Sequence, residues 1–289
     1  TCVVLFRRIC HKKIMKHEDT QLRLFCRDQI LDLYHPVVMG ILNLTPDSFY
    51  DGGKYNSTEN AFLQVKKMVS EGAKIIDIGA LSTRPGSIPV DLHEEWSRME
   101  AIIPLLKESF PNVILSVDTY RSEIAKKAIL EGVHIINDIS GGTMDETMFA
   151  LVAELDVPYV LTHIQGTPTT MQQNPQYENL IDEVKIFFEK RIVQLQSLGV
   201  KQIILDPGFG FGKTVEQNYQ LLNALETFVG INFPILVGLS RKSFVKNRYG
   251  NEADQVLHGT LECTKVAIEK GAKILRVHDV METVQLLAK

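Results

Sequence analysis

The chain has 289 residues, of which 45% are hydrophobic and 23% charged, the balance of a globular protein with a sizeable core. A net charge of -4 gives no bulk attraction to nucleic acid or acidic membranes, and no apolar run approaches the roughly 18 residues of a membrane span. Cys2, Cys10, Cys26 and Cys263 form no CxxC pair and no Cys/His metal spacing, so they read as free thiols in a reducing, cytoplasmic compartment.

Taken in chain order, residues 1–20 come first, with Arg7, Arg8, Lys12, Lys13 and Lys16 among them. The apolar piece 2–6 is too short for a signal segment and precedes the basic cluster instead of following it. This stretch reads as a basic, disordered extension, or as sequence upstream of a start at Met15, and 21–289 as one domain. Next, 21–26 and 29–33 look like two short strands around Arg27-Asp28, a hairpin placed to close the bottom of the domain.

From Pro36 onward one pattern recurs: a short β-branched apolar run, a turn, then a helical period. The runs are 37–42, 74–78, 113–117, 134–136, 158–161, 202–205, 234–237 and 273–277, with helical stretches such as 59–70 and 179–198 between them. The runs lack strict polar alternation, as strands buried on both faces of a parallel sheet do. Gly72, Gly132, Gly199 and Gly271 sit where a helix would end in a left-handed residue. Eight βα units predict an α/β fold, a single closed (β/α)8 TIM barrel with the hairpin beneath it.

Such barrels place their chemistry at the C-terminal ends of the strands. Here every strand runs into polar groups: Asn43 and Asp47; Asp77 and then Ser82-Thr83-Arg84; Asp118; Asn137-Asp138; His163 and Gln165; Asp206; Ser240-Arg241-Lys242; Arg276 and His278. Any one of them has the composition of a helix cap. Together they converge on one mouth. Arg276, His278, Lys242, Arg241, Arg84 and Thr83 form a donor-rich set suited to a phosphate or pyrophosphate. Asp118, Asn137 and Asp206 form an acceptor set, which a flat heterocycle with adjacent N–H and NH2 donors would satisfy. The rival reading is a structural salt-bridge network.

The stretch 206–214 ends like a phosphate-binding loop, but that pattern needs glycine where Pro207 stands. Its glycines instead suggest a backbone that approaches a ligand closely. Phe209 and Phe211 either wall an aromatic ligand or pack into the core. The stretches 43–53 and 82–87 are rich in turn formers and look like lids over the mouth. His163 reads as a hydrogen-bonded supporting group more readily than as a general base, and Trp96 as packing.

GILNLTPDSFYDGG, DIGALSTRPG, VDTYR, INDISGG, THIQGTP, DPGFGFGK, GLSRKSF and RVHDV occur in this order over residues 37–280. Together they resemble the dihydropteroate synthase family, pterin-binding barrels of folate biosynthesis. The resemblance implies a transferase that condenses 6-hydroxymethyl-7,8-dihydropterin pyrophosphate with p-aminobenzoate, giving 7,8-dihydropteroate and pyrophosphate. It implies Mg2+ with Asn43 near the metal, and a homodimer formed through helices late in the barrel. The pterin would be held by Asp118, Asn137, Ile139, Ile164, Asp206, Phe211 and Lys242. The pyrophosphate would meet Asn43, Thr83, Arg84, Arg276 and His278. Aminobenzoate would lie against Phe49, Thr83, Pro85, Phe211, Lys242 and Ser243. Asp51, Asp118, Asp206 and Lys242 would act in the chemistry, with pyrophosphate leaving before the aniline nitrogen attacks. Two departures are conservative: Ile164 stands where methionine is frequent, and Leu44 where valine is common. Two other readings stay open, a pterin-binding methyltransferase of the folate–corrinoid type and a non-catalytic pterin-binding protein.

Overall fold

The computed structural model describes residues 22–44, 53–81 and 90–288, the side chains of 53–57 excepted. The reading of residues 1–20 as an extension lies outside these residues. Strands β1 (Arg23–Cys26) and β2 (Gln29–Asp32) form an antiparallel hairpin in which Cys26 faces Gln29 across the turn. The eight apolar runs then become β3 (Val37–Asn43), β4 (Ile75–Gly79), β5 (Ile114–Asp118), β6 (Ile135–Asp138), β7 (Tyr159–Thr162), β8 (Ile203–Asp206), β9 (Ile235–Val237) and β10 (Ala272–Val277). All pair in parallel, and β10 returns to β3, so the sheet closes into a barrel.

Helices return the chain between strands, beginning with α1 (Gly53–Ser70), α2 (Leu92–Met99), α3 (Ile102–Ser109), α4 (Ser122–Leu130) and α5 (Met148–Leu155). The later ones are α6 (Leu180–Ser197), α7 (Val215–Asn223), α8 (Glu226–Val229), α9 (Ser243–Tyr249), α10 (Ala253–Glu269) and α11 (Val280–Leu287). None among the described residues is long and apolar enough to cross a membrane. Helix α1 starts six residues before the expected 59. The four expected helix-ending glycines adopt φ of 107° (Gly72), 110° (Gly132), 90° (Gly199) and 95° (Gly271), a region that side chains rarely enter.

Alternation along the strands sorts the core into two parts. Ile76, Ile78, Leu115, Val117, Ile136, Tyr159, Leu161 and Leu205 pack outward against the helices. Met39, Ile75, Ile114, Ile135, Val160, Ile204, Leu236 and Ile274 form a separate cluster inside the barrel, together with Leu24, Cys26, Leu31 and Leu33 of the hairpin segment. The hairpin therefore plugs the barrel floor. Its polar turn reaches α4, where the Arg27 guanidinium donates to the Ile129 carbonyl at 2.6 Å. His134 sits just before β6; its Nδ1 accepts the Leu115 N–H at 3.0 Å, and burial holds its pKa below the usual value. Burial pushes the Cys26 thiol up to about 12, and Cys26 and Cys263 are free, buried thiols.

The floor is built from single side chains of successive strands, so each one supports its neighbours. Ile204→Ala should cost about 2–5 kcal/mol of stability, the range for emptying a buried aliphatic site. Urea unfolding followed by circular dichroism measures it; a midpoint unchanged from the parent would show that this cluster is not the floor.

Candidate active site at the barrel mouth

Two residues beyond the apolar floor, on the same lumenal face, stand Asp77, Ser116, Asn137, Thr162, Asp206, Gly238 and Arg276. Parallel register then aligns the strand tips. Asn43 pairs with Gly79, Gly79 with Asp118, and Asp118 with Asn137. Polarity begins one layer above the plug, and what the sequence spreads over two hundred residues becomes one polar layer.

Arg276 is the centre of that layer. Its Nε donates to Asp77 Oδ2 at 2.7 Å and its Nη2 to Asp118 Oδ2 at 2.6 Å. Burial works against the charge, but Asp77 and Asp118 outweigh it, and the guanidinium is held above its ordinary pKa. Asp77 is fully buried; it also accepts from Ser116 Oγ at 2.6 Å and Asn137 Nδ2 at 2.9 Å. Burial pushes the Asp118 carboxyl up to about 7, against the pull of Arg276 and with added repulsion from Asp77. The expected cationic and acidic flanks are thus interleaved, since a charge taken out of water is cheapest beside its opposite.

The glycine loop after β8 forms the next part. Asp206 is buried, and burial raises its pKa against the opposing pull of Lys242, the Gly208 N–H and Arg276; that N–H donates to Oδ1 at 2.8 Å. Gly208 has φ of +72°, and a Cβ there would stand 1.8 Å from the His163 carbonyl oxygen, so no side chain is admissible. Lys242 Nζ donates to the Phe209 carbonyl and lies 4.4 Å from the centroid of the Phe211 ring. Burial pulls the Lys242 ammonium down to about 8, with Asp206 opposing. Phe209 is fully buried and stacks on Phe244, so it belongs to the core, while half-buried Phe211 faces Lys242.

Behind the loop Lys213 is only 3% exposed. Its Nζ donates to the Gly208 carbonyl at 2.9 Å and the Phe211 carbonyl at 3.0 Å, and lies 3.0 Å from His163 Nδ1. Donation to Nδ1 leaves the His163 proton on Nε2. Burial and the Lys213 charge hold that imidazole neutral, which suits a supporting group and not a general base.

Past the neighbouring strands β9 and β10, the His278 backbone N–H donates to Ser240 Oγ at 3.2 Å, and that hydroxyl stands 3.0 Å from His278 Nδ1. Ser243 opens α9, exposed, directly after Lys242. Ile139 and Ile164 are buried just past β6 and β7. Arg241 does not join them: its exposed guanidinium is bonded to Asp279 at 3.1 and 2.5 Å. Two arginines brace the stems on either side of residues 82–89. Arg98 donates to the Ala80 carbonyl at 2.7 Å, and Arg121 donates to the Val90 carbonyl and to buried Glu95, both at 2.6 Å. Phe49, Asp51, Thr83, Arg84 and Pro85 lie outside the described residues.

Comparison with known proteins gives the family. A family model described as pterin binding enzyme matches residues 39–278. The dihydropteroate synthase of Escherichia coli (strain K12) is 42% identical over 268 residues, covering 92% of this chain and 94% of its own. That of Synechocystis is 46% identical over 256 residues, covering 86% and 87%. The chain belongs to the dihydropteroate synthase family. A solved dihydropteroate synthase of Xanthomonas albilineans with 4-aminobenzoic acid superposes with a TM-score of 0.86 at 38% identity, covering 93% of this chain and 96% of that one.

For a dihydropteroate synthase read from sequence alone, two buried partners were missed: Asp77 as the hub of the mouth, and Lys213. Asp77 carried a usable signal, since it lies two residues past Ile75 on a lumenal face. Lys213 carried none, because its position behind the loop depends on the left-handed turns at Gly208, Gly210 and Gly212.

Burial pulls the Lys213 ammonium down to about 7. An unfolded lysine keeps its proton to about 10.4. Between those values the folded chain binds fewer protons than the unfolded one, so this residue makes stability rise with pH across the window. Lys213→Met should lack that rise. Comparing denaturant midpoints of parent and variant at pH 6.5 and 9 tests it: the difference should shift in favour of the parent at the higher pH, and an identical difference at both would refute it.

Proposed function

We propose that this protein is a cytoplasmic dihydropteroate synthase that joins 6-hydroxymethyl-7,8-dihydropterin pyrophosphate to p-aminobenzoate. The observation that carries the reading is the single polar layer of Asp77, Asn137, Asp206 and Arg276 over an apolar floor, with Asp118 and Lys242 at its rim. Asp118, Asn137 and Asp206 offer acceptors to the N–H edge of a pterin, and Lys242 a donor to its oxo edge. Ile139, Ile164 and Phe211 give the flat ring apolar walls. Arg276, His278 and Asn43, with Thr83 and Arg84, are assigned to the pyrophosphate. Phe49, Thr83, Pro85, Phe211, Lys242 and Ser243 are assigned to aminobenzoate.

In this reading the C–O bond to pyrophosphate breaks first, its electron pair leaving with the anion. Cationic donors stabilise that developing charge. The carboxylates Asp118 and Asp206, with Asp51, stabilise the positive pterin left behind. The aniline nitrogen then forms the C–N bond with its lone pair and gives up its proton to solvent water. An aniline needs no strong base for this step, which agrees with a His163 whose ring faces Lys213. Mg2+ fits the donor set, because the amide oxygen of Asn43, a neutral hard donor, would help hold it beside the pyrophosphate. It would supply charge neutralisation to the leaving group. We assign the functional unit as a homodimer joined through late helices; sedimentation of the purified chain tests that.

With Mg2+ and both substrates the purified protein should release pyrophosphate and form dihydropteroate. Lys242→Ala should lower turnover by about a hundredfold or more, as loss of a charge-stabilising donor does. Arg276→Lys, which keeps the charge but loses the fork, should also fall sharply. Pterin binding without any product would favour a non-catalytic pterin-binding protein.

A further inference from the structure

Asp77 shares the polar layer with Asn137, Asp206 and Arg276, is assigned to no substrate, and is 0% exposed. A carboxylate can only accept hydrogen bonds. Each neighbour must therefore turn a donor toward it. Ser116 Oγ donates to Oδ1, while Arg276 Nε and Asn137 Nδ2 both donate to Oδ2. For serine and arginine this constrains little. For Asn137 it is decisive, because an amide has one donor end and one acceptor end. With Nδ2 on Asp77, the Asn137 amide oxygen is turned away from Asp77.

We infer that Asp77 is the positioning residue that sets the donor–acceptor polarity of the pterin site by fixing the amide of Asn137. This rests on the pterin reading of the mouth. Held this way, Asn137 adds an acceptor beside Asp206 and Asp118. The site then favours a ring that presents amino and N–H groups, and it rejects one that presents a carbonyl at the same edge. A buried acceptor facing a carbonyl is left without a partner, which is where large discrimination arises.

Asp77→Asn keeps the shape and changes this logic. An asparagine at 77 can donate to the Asn137 oxygen, so the amide of Asn137 is free to reverse and present Nδ2 to the ligand. Arg276 keeps its bond to Asp118. The two probes are 2-amino-4-oxopteridine (pterin) and 2,4-dioxopteridine (lumazine), with affinities measured by calorimetry on the full chain. The parent should prefer pterin, and in Asp77→Asn the pterin-to-lumazine affinity ratio should fall at least about tenfold. A merely structural role for Asp77 weakens both ligands together; an unchanged ratio would overturn the proposal. Asn137→Ala separates the two readings. If it leaves pterin affinity intact, the pterin reading of the mouth fails and this inference with it. If it loses pterin while the Asp77→Asn ratio stays at the parent value, this inference alone fails. Should Asp77→Asn not fold, the parent chain answers by NMR. An Asn137 side-chain amide proton close to the Arg276 Hε supports the proposal; amide protons that meet bound pterin and not Arg276 overturn it.

Discussion

The guanidinium of Arg276, gripped by Asp77 and Asp118 inside a closed barrel, is the interaction on which the mouth depends. Charges removed from water are costly, and a lone carboxylate here would simply take up a proton. Held at 2.7 and 2.6 Å from Arg276, the two carboxylates share one cation. One cation does not offset the burial of two carboxylates: burial, with added repulsion from Asp77, still pushes Asp118 up to about 7. A site with acceptors in excess of donors is one that a donor-rich ligand completes.

The second element is a backbone that only glycine permits. Gly208, Gly210 and Gly212 all take positive φ, and the loop they form folds over buried Lys213. Lys213 has three donors and finds two carbonyls and one imidazole nitrogen for them. The same loop holds Asp206 by the Gly208 N–H and lays Phe211 under Lys242. Lys242, Arg276 and Lys213 supply the positive charge that opposes the burial of Asp206. The plugged floor closes the layer from below.

Much of this was legible in the residues. Eight apolar runs, each followed by a helical period and often a glycine, specify a (β/α)8 barrel before any coordinate is known, and the strands fall within a residue or two of the expected runs. Strand-end chemistry also located Asp118, Asn137, Asp206, Lys242 and Arg276. Partnership was not legible. Arg276 near the end of β10 and Arg241 just past β9 both belong to late strand ends, yet one is bound inside the barrel and the other is exposed on Asp279. Phe209 and Phe211 are two residues apart in one loop, yet one packs into the core and the other meets Lys242.

The sequence by itself determined the strand count, the inward and outward faces, and which residue types reach the mouth. These follow from periodicity, a local property that each segment carries alone. Only the tertiary structure decided that Asp77 governs Asn137 and Arg276, and that Lys213 governs the glycine loop. Those bonds join residues 60 and 199 positions apart in the first case and 50 in the second, from Lys213 to His163. Contacts of that kind exist only once the barrel has closed and its shear has set which strand tips lie side by side.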